Sequence, residues 1–440
     1  MEENIINKPN SEIQCRAVLV GIECDRDERD EVEKSLDELE RLLDTAGGET
    51  FARVVQSKST PDPRTLIGSG KVKEIAELCK NNQIGLCIFD SELSPSQIKN
   101  LEDGLEDVRV IDRSMLILDI FALHATTGEG KLQVELAQLK YTAPRLIGKG
   151  TEMSRLGGGI GTRGPGESKL ESDKRHMKRR ITALEEELRV LDKNRMTMRA
   201  SRDKSDICKI AIVGYTNAGK STLLNRLTDA GILAEDKLFA TLDPTTRKFT
   251  LPCGESVLLT DTVGFINKLP HHLIKAFKST LDEAVYADVL MIVIDASDPE
   301  YETQLSVTEN LLSELGAGGK TTLYVFNKCD KSADALPTSI NSFERENVIY
   351  ISAKTGQGVD DLVSRLETII LSDKKRTVFI IPHSEQGAVN QLYKYATVES
   401  VEYGAEGVTV TAMADAKARG MMKKYLAEPE IVSDDTDFDD

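Results

Sequence analysis

The sequence predicts a multidomain α/β protein, and three observations support this fold class. Short apolar runs alternate with amphipathic stretches between residues 16 and 113, as in a small parallel α/β domain. Two long helical stretches then flank a glycine-dense segment, which predicts an antiparallel helical hairpin. A further apolar run, residues 207–213, leads into the segment GYTNAGKS and another helical stretch. This order favours a mostly parallel sheet with helices on both faces.

The chain of 440 residues is too long for one hydrophobic core, so we expect several domains. The predicted parts are an N-terminal α/β domain at residues 1–113, a helical hairpin at 114–205 with a glycine-rich tip at 146–167, a phosphate-loop domain at 206–371, a small α+β module at 372–427, and an acidic disordered tail at 428–440.

Composition limits the possible function classes. No apolar run reaches the roughly 18 residues of a membrane span, and the N-terminus lacks the pattern of a signal peptide, so we expect a cytoplasmic protein. Seven scattered cysteines without a C-x-x-C pair argue against a disulfide framework and a zinc site. The net charge of −17 is uneven, because residues 163–204 hold thirteen Lys or Arg against eight Asp or Glu. This charge would argue against a nucleic-acid partner if it were spread evenly, but a localised basic segment is compatible with RNA. We expect no DNA partner.

In the N-terminal part we expect strands near residues 17–22, 51–55, 84–89 and 108–111, with helices near 30–46, 71–81 and 94–102. The segment LIGSGK resembles half of a phosphate loop. Thr65 stands where the first glycine is needed, and Val72 stands where a metal-binding hydroxyl is needed. We therefore favour a structural strand-to-helix turn over a second ligand site, and keep both.

The hairpin is predicted from helical periodicity. Residues 114–142 are interpreted as one long helical stretch in which Leu132, Leu136 and Leu139 share a face. The second helix carries a coiled-coil seam, whose members are Leu170, Met177, Ile181, Leu184, Leu188 and Leu191. It also carries basic residues, which are Lys174, Arg175, Lys178, Arg179 and Arg180, with Arg163 in the tip. This charge fits either a solvated helix with a flexible linker or a probe for RNA.

The segment GYTNAGKS, residues 214–221, indicates a phosphate-binding site. Its glycines allow the backbone to fold around an anion, so that successive N–H groups face phosphates. Lys220 is then expected to reach the β- and γ-phosphates, and the Ser221 hydroxyl is expected to bind Mg²⁺. The helix that follows adds the positive end of its dipole.

Two later segments have the pattern of switches that sense the γ-phosphate. In FATLDPTTR, Thr241 is placed to close onto Mg²⁺ and the γ-phosphate. The second switch is DTVG, residues 261–264. Asp261 ends an apolar strand and is expected to hold Mg²⁺ through water, while the Gly264 N–H is expected to meet the γ-phosphate. Lys220, Thr241 and Gly264 are therefore the candidate catalytic residues, and Ser221 and Thr241 are the candidate metal ligands.

The choice of base is predicted from NKCD, residues 327–330. The Asp330 carboxylate accepts two hydrogen bonds, which guanine supplies from N1–H and its exocyclic amine and adenine does not. Asn327 would brace the loops and the Lys328 stem would cover the base. A backbone N–H in residues 352–354, SAK, would mark the guanine O6. The predicted nucleotide contacts are Gly214, Tyr215, Thr216, Asn217, Ala218, Gly219, Lys220, Ser221, Thr222, Phe239, Ala240, Thr241, Leu242, Asp243, Asp261, Thr262, Val263, Gly264, Asn327, Lys328, Asp330, Ser352, Ala353 and Lys354.

These motifs, together with EGKLQVELAQLKY and RLGGGIGTRGPGESKLE, closely resemble the HflX-type GTPases of the translation-factor-related class. The resemblance covers residues 61–371 most clearly. It implies a ribosome-associated GTPase that uses GTP, GDP and Mg²⁺, binds the large subunit and separates stalled or idle ribosomes. It also implies that the glycine tip approaches ribosomal RNA at the peptidyl-transferase region, and we expect a monomer when the protein is off the ribosome.

Phe265 follows Gly264, where some GTPases place a glutamine that orients the attacking water. A phenyl ring cannot orient water, so we expect slow hydrolysis alone and faster hydrolysis with ribosomes. Two alternatives remain open: an assembly or storage factor that binds ribosomes without separating them, and a metabolic phosphotransferase, which leaves NKCD and SAK unexplained.

Overall fold

A computed structural model describes the chain at residues 15–25, 29–145, 165–202, 207–228, 238–239, 244–268, 278–331, 347–372, 375–385, 387–404, 407–414 and 416–427. These residues form two compact units. The first is drawn from residues 1–203, 209–249 and 257–357, and the second from residues 204–208, 250–256 and 358–440. The boundaries of the five predicted parts remain a prediction.

The N-terminal part of the first unit alternates strands and helices. Its elements are β1 (Cys15–Glu23), α1 (Arg29–Thr45), β2 (Gly48–Ser57), α2 (Ser69–Asn82), β3 (Leu86–Phe89), α3 (Pro95–Leu105) and β4 (Arg109–Asp112). The strands form one sheet in the order β2-β1-β3-β4, and every neighbouring pair is parallel. Leu36, Leu39 and Leu43 of α1 are fully buried in the same cluster as Leu19 of β1. The predicted parallel α/β fold is confirmed for this part.

The segment that imitates a phosphate loop leads into α2. The Gly68 N–H donates to Oε1 of Gln56 at 2.7 Å, and Val72 is buried in the hydrophobic cluster between the sheet and α2. Val72 therefore packs in the hydrophobic core at the position where a phosphate loop has its metal-binding hydroxyl. This geometry favours the structural turn.

The interpretation of residues 114–142 as one helical stretch was wrong. The structure has two helices, α4 (Arg113–His124) and α5 (Gly128–Thr142), and Ala125 between them is extended. Thr127 begins α5 as its N-cap, because its hydroxyl accepts the Gly130 N–H at 2.9 Å. The break was hidden because residues 113–121 of α4 are all buried and show no amphipathic period.

The second hairpin helix is α6 (Pro165–Arg202), which is 38 residues long and contacts α5. Ion pairs join Arg195 to Glu129 at 2.6 Å and Lys140 to Glu185 at 2.7 Å, so the helices are antiparallel, as predicted. Leu184 is fully buried, whereas most neighbouring side chains on α6 are exposed. Most of the glycine tip, residues 146–164, lies outside the described residues. Among the helices that the structure describes, none is long and apolar enough to span a membrane.

The phosphate-loop part contains a second sheet. Its elements are β5 (Cys208–Gly214), α7 (Lys220–Thr228), β6 (Thr245–Thr250), β7 (Ser256–Asp261), α8 (Lys278–Tyr286), β8 (Val289–Asp295), α9 (Tyr301–Glu314), β9 (Thr321–Asn327) and β10 (Val348–Tyr350). The six strands have the order β10-β9-β8-β5-β7-β6, and β10, β9, β8 and β5 are parallel neighbours. The carboxyl ends of these four strands therefore meet at one edge of the sheet, where ligands bind in such folds.

The second unit is a small α+β structure, the class predicted for residues 372–427, and it also includes the helix at 359–372. Its elements are α10 (Val359–Ser372), β11 (Lys375–Ile381), α11 (Gly387–Tyr395), β12 (Thr397–Tyr403), β13 (Val408–Ala414) and α12 (Ala416–Met421), with short 3-10 turns at His383–Glu385 and Lys423–Tyr425. The antiparallel sheet has the order β11-β13-β12. Alternate residues of β13, from Val408 to Ala414, are fully buried. The acidic segment 428–440 lies outside the described residues.

A buried charge network stands at the carboxyl end of the first sheet. Arg113 is 2% exposed and pairs with Asp90 at 2.7 Å and with Glu38. Lys268, which follows the second predicted switch, also pairs with Asp90 at 2.8 Å. Burial opposes ionisation of Asp90, but the attraction of Arg113 and Lys268 outweighs it and lowers the pKa of this carboxyl. The N-terminal sheet and the phosphate-loop part thus share one network.

Changing Asp90 to Ala is expected to lower the free energy of unfolding of the first unit by about 3–5 kcal/mol, because Arg113 would keep its charge in a buried site with one partner fewer. Urea unfolding followed by circular dichroism measures this, since the chain has no tryptophan. The matched control is Asp37→Ala, which removes an exposed pair with Arg53 and should cost about 0–1 kcal/mol. Equal losses in the two variants would contradict a structural role for the buried network.

Candidate nucleotide-binding site

The phosphate loop follows β5 and ends in α7, as the sequence predicts. Gly214 has φ +142°, and a Cβ atom there would clash with the carbonyl oxygen of Val293 on β8. Gly219 has φ +94°, and a Cβ atom there would clash with the side-chain amide of Asn327. Both positions therefore need glycine for conformation and for close approach.

Lys220 and Ser221 begin α7 inside this loop. Lys220 is 6% exposed, and its Nζ donates to the carbonyl oxygens of Gly214 at 3.1 Å and Tyr215 at 2.8 Å. Burial lowers the pKa of this ammonium group to about 8. The Ser221 hydroxyl donates to Oδ2 of Asp261 at 2.6 Å. The structure thus brings together the predicted phosphate lysine, a predicted metal ligand and the acidic residue of the second switch, and Thr222 follows on the same helix.

The second switch lies directly against the phosphate loop. The Thr216 N–H donates to the carbonyl oxygen of Phe265 at 2.8 Å, and the Phe265 N–H donates to that of Gly214 at 3.1 Å. A Cβ atom on Gly264 would lie 2.7 Å from the Thr216 Cα and 2.9 Å from the Lys220 Nζ, so a side chain does not fit there. Phe265 is 1% exposed, which places its ring in the core and agrees with our inference that it does not orient water. Thr262 and Val263 are also buried.

The first switch is described only in part. Phe239 is buried and meets the Phe121 ring of α4 edge-on, with the centroids 4.7 Å apart. The N–H of the preceding residue, Leu238, donates to the Thr45 hydroxyl of α1 at 3.3 Å. The beginning of this switch, at Leu238 and Phe239, is therefore fixed to helices α1 and α4. The other predicted contacts, Ala240, Thr241, Leu242 and Asp243, lie outside the described residues.

The predicted base-recognition residues meet at the ends of β9 and β10. Asn327 is 2% exposed and bridges two loops: its amide donates to the Ala218 carbonyl oxygen at 2.9 Å, and its Oδ1 accepts the Ala353 N–H at 2.9 Å. The Ser352 hydroxyl donates to Oδ1 of Asp330 at 2.6 Å. That hydrogen bond is the main reason that the pKa of Asp330 is lowered. An ionised carboxylate at this position can accept hydrogen bonds from a base.

Since Asn327 takes the Ala353 N–H, the next backbone donor of this loop belongs to Lys354. Lys354 itself is exposed.

Lys328 has φ +64° and pairs with Asp295, at the end of β8, at 2.7 Å. Asp295 is not among the predicted site residues, although it ends an apolar strand in the same way as Asp261 does.

Tyr215 is a second residue whose role the sequence analysis did not identify. Its hydroxyl donates to Glu38 of α1 and accepts the Asn267 N–H at 2.6 Å. Burial is the main reason that the pKa of this phenol is raised, so it stays protonated. A side chain of the phosphate loop is thereby fixed to the N-terminal part. No signal within the loop sequence indicates a partner 177 positions away.

The oxygen donors at Ser221 and Asp261 fit Mg²⁺, which prefers oxygen ligands and usually keeps waters and substrate phosphates in its shell. Within the part of the chain that the structure describes, three or more His, Cys, Asp or Glu residues nowhere form a cluster that could hold a metal ion. A magnesium ion here would take oxygen ligands from Ser221, from Asp261 directly or through water, and from phosphates.

Comparison with protein families assigns most of the chain. Residues 33–122 match a family described as GTP-binding GTPase N-terminal, and residues 124–202 match the GTP-binding GTPase middle region. Residues 209–328, which hold the phosphate loop, the second switch and NK of NKCD, match a family described as 50S ribosome-binding GTPase.

Whole-chain relatives agree with these matches. A protein of Lacrimispora saccharolytica named GTPase HflX is 50% identical over 401 residues, which is 91% of this chain and 94% of the relative. The GTPase HflX of Caldanaerobacter subterraneus is 46% identical, covering 93% and 94% of the two chains. The GTPase HflX of Escherichia coli K12 is 42% identical, covering 87% of this chain and 89% of the relative.

Proposed function

The chain belongs to the HflX family of GTPases, and we propose that it separates ribosomes by binding the large subunit in its GTP-bound form. The match of residues 209–328 to 50S ribosome-binding GTPases is the observation that carries the proposal. The geometry supports the nucleotide-binding part of the proposal, since Asn327 joins the phosphate loop to the base-recognition loop.

GTP would act by shifting populations between two arrangements of the switches. In the structure the second switch is hydrogen-bonded to the phosphate loop, and Gly264 lies next to Lys220. A γ-phosphate meeting the Gly264 N–H and the Thr241 hydroxyl would order both switches around Mg²⁺. We propose that this ordered state binds the ribosome better, and that hydrolysis to GDP releases the protein.

The hairpin is the candidate ribosome contact. Helix α6 exposes Arg175, Lys178 and Arg179, a charge pattern suited to phosphates of RNA. Arg180 pairs with Glu135 of α5 at 2.7 Å and so supports the hairpin, whereas Arg175 pairs with Glu171 of its own helix at 3.6 Å. We propose that the glycine-rich tip approaches the RNA of the large subunit.

Nucleotide affinity is expected to fall as the pH rises through 8. The pKa of Lys220 is about 8, and bound phosphates favour its charged form, so above this pH binding must take up a proton. The expected loss is about tenfold per pH unit at the alkaline end. Titration with a fluorescent GDP analogue between pH 7 and 9.5 measures it. Lys220→Arg is the matched control, because it keeps its charge and should flatten the profile; equal slopes would contradict this assignment.

The proposed function is tested by GTPase and sedimentation assays with purified ribosomes. We expect slow hydrolysis by the protein alone and an acceleration on the order of 10³-fold with ribosomes, if they supply or order the missing water-positioning group. The protein should sediment with large subunits in the presence of a non-hydrolysable GTP analogue and not with GDP. Binding and stimulation without any separated subunits would favour an assembly or storage factor. Equal turnover with and without ribosomes would overturn the proposal.

A further inference from the structure

We propose that Arg226 is a positioning residue for guanine recognition, acting through the loop that contains Ser352, Ala353 and Lys354. This inference rests on the proposed nucleotide site and deepens it. Arg226 lies on α7, the helix that begins with Lys220 and Ser221 of the phosphate loop. Its Nη2 donates to the carbonyl oxygen of Thr355 at 2.7 Å.

The loop that Arg226 contacts is a closed turn. The Gly356 N–H donates to the Ser352 carbonyl oxygen at 2.8 Å, and the Ser352 N–H donates to that of Gln357 at 2.9 Å. The Thr355 N–H adds a bond to the Ser352 hydroxyl at 3.1 Å. Because these hydrogen bonds close the turn, a displacement of Thr355 should also displace residues 352–354.

Among the described residues, three hydrogen bonds attach the turn to other parts of the candidate site. Asp330 holds the Ser352 hydroxyl, Asn327 holds the Ala353 N–H, and Arg226 holds the Thr355 carbonyl oxygen. Asp330 and Asn327 belong to the base-recognition motif itself. Arg226 alone among these three comes from the helix that starts at the phosphates, so it links the position of the base loop to the position of the phosphate loop.

Gly356 has no side chain and so leaves space for the Arg226 guanidinium group. It has φ +94°, and a Cβ atom there would clash with Nη2 and crowd Cζ of Arg226. A glycine at this position therefore serves two purposes, the left-handed turn and room for the guanidinium group. A guanidinium keeps its charge at every physiological pH, and a charge-assisted hydrogen bond is stronger than a neutral one.

The O6 of the base is the atom that this loop would recognise, because the Lys354 N–H is the next backbone donor after the Ala353 N–H that Asn327 accepts. Asp330 would recognise the opposite edge, N1–H and the exocyclic amine. A shift of residues 352–354 should therefore weaken the binding of every nucleotide whose base carries an oxygen at C6, whether or not the base carries the exocyclic amine. It should leave the weak binding of adenine nucleotides unchanged, because adenine has no oxygen there.

The test is the affinity of Arg226→Ala for GDP, IDP and ADP, measured by competition with a fluorescent nucleotide. We expect the affinities for GDP and IDP to fall by the same factor, about tenfold, and the affinity for ADP to stay the same. Arg226→Lys should recover part of the loss, because an ammonium group also donates to a carbonyl. Arg376→Ala is the matched control, since Arg376 is an exposed residue of β11 that donates to Glu399 at 2.8 Å and is not among the candidate nucleotide-site residues.

A double-mutant cycle with Gly356→Ala makes the result decisive. The added methyl group should displace Arg226, so its effect should be smaller in the Arg226→Ala protein than in the wild type. Unchanged GDP affinity in Arg226→Ala, or an equal loss for all three nucleotides, would overturn the assignment. If the wild type itself bound ADP as well as GDP, the proposed guanine site would fail instead, which keeps the two failures distinguishable.

Discussion

Asp330→Asn is expected to lower the affinity for GTP by about 10²- to 10⁴-fold and to create binding of XTP. The Asp330 carboxylate is placed beside Ser352 and held ionised by a lowered pKa, so it can accept hydrogen bonds from N1–H and the exocyclic amine of guanine. Two hydrogen bonds to a charged acceptor are worth about 1.5–3 kcal/mol each. An asparagine presents an amide N–H instead, which repels the exocyclic amine and matches the C2 carbonyl of xanthine.

Competition binding with GTP, XTP and ATP measures this change in base preference. The matched control is Asp361→Asn, the same substitution at an exposed position of α10, which should leave all three affinities unchanged. A variant that loses affinity for GTP without gaining affinity for XTP would indicate that the substitution only disrupts the loop. A variant that keeps GTP affinity would contradict the role of Asp330 in base recognition.

Deletion of residues 157–166 is expected to abolish ribosome separation and to spare GTP binding. The deletion removes the glycine-dense segment at the predicted tip of the hairpin. The residues that form the candidate nucleotide site lie elsewhere in the chain, and antiparallel pairing of α5 with α6 rests on ion pairs such as Glu129 with Arg195. Subunit separation, measured by sucrose-gradient profiles, should therefore fall to the level without protein, while fluorescent GDP binds as in the wild type.

A second variant separates the role of the residues from the length of the loop. In it, residues 157–166 are replaced by ten glycine and serine residues. We expect this variant to lose separation as well, because Arg163 and the native sequence of the segment are both gone. If separation were retained, the segment would be a linker, and the contact with RNA would have to be placed on α6.

The parts of the site that the sequence predicts well are those built by local patterns. Gly214, Gly219, Lys220 and Ser221 fall within one strand-loop-helix segment, so their spacing alone indicates the geometry. The predicted mostly parallel sheet is also confirmed, and its parallel strands bring the carboxyl ends of β5, β8, β9 and β10 to one edge.

The contacts that the sequence did not predict are long-range. Tyr215 with Glu38, and Arg226 with Thr355, join residues 177 and 129 positions apart. Periodicity also fails where an element is buried all round, which is why α4 merged with α5 in our interpretation. A local pattern indicates which face of an element is buried, and it carries no information about which distant polar group a side chain meets.

Light scattering of intact ribosomes, mixed with this protein and GTP, a non-hydrolysable GTP analogue or GDP, tests the central claim most directly. A protein that separates ribosomes in its GTP-bound form should lower the scattering with GTP and with the analogue, and leave it unchanged with GDP. Because hydrolysis serves release in this mechanism, the analogue should separate the subunits as completely as GTP but without turnover. Scattering that stays constant with both GTP and the analogue, or that falls equally with GDP, would contradict nucleotide-gated separation.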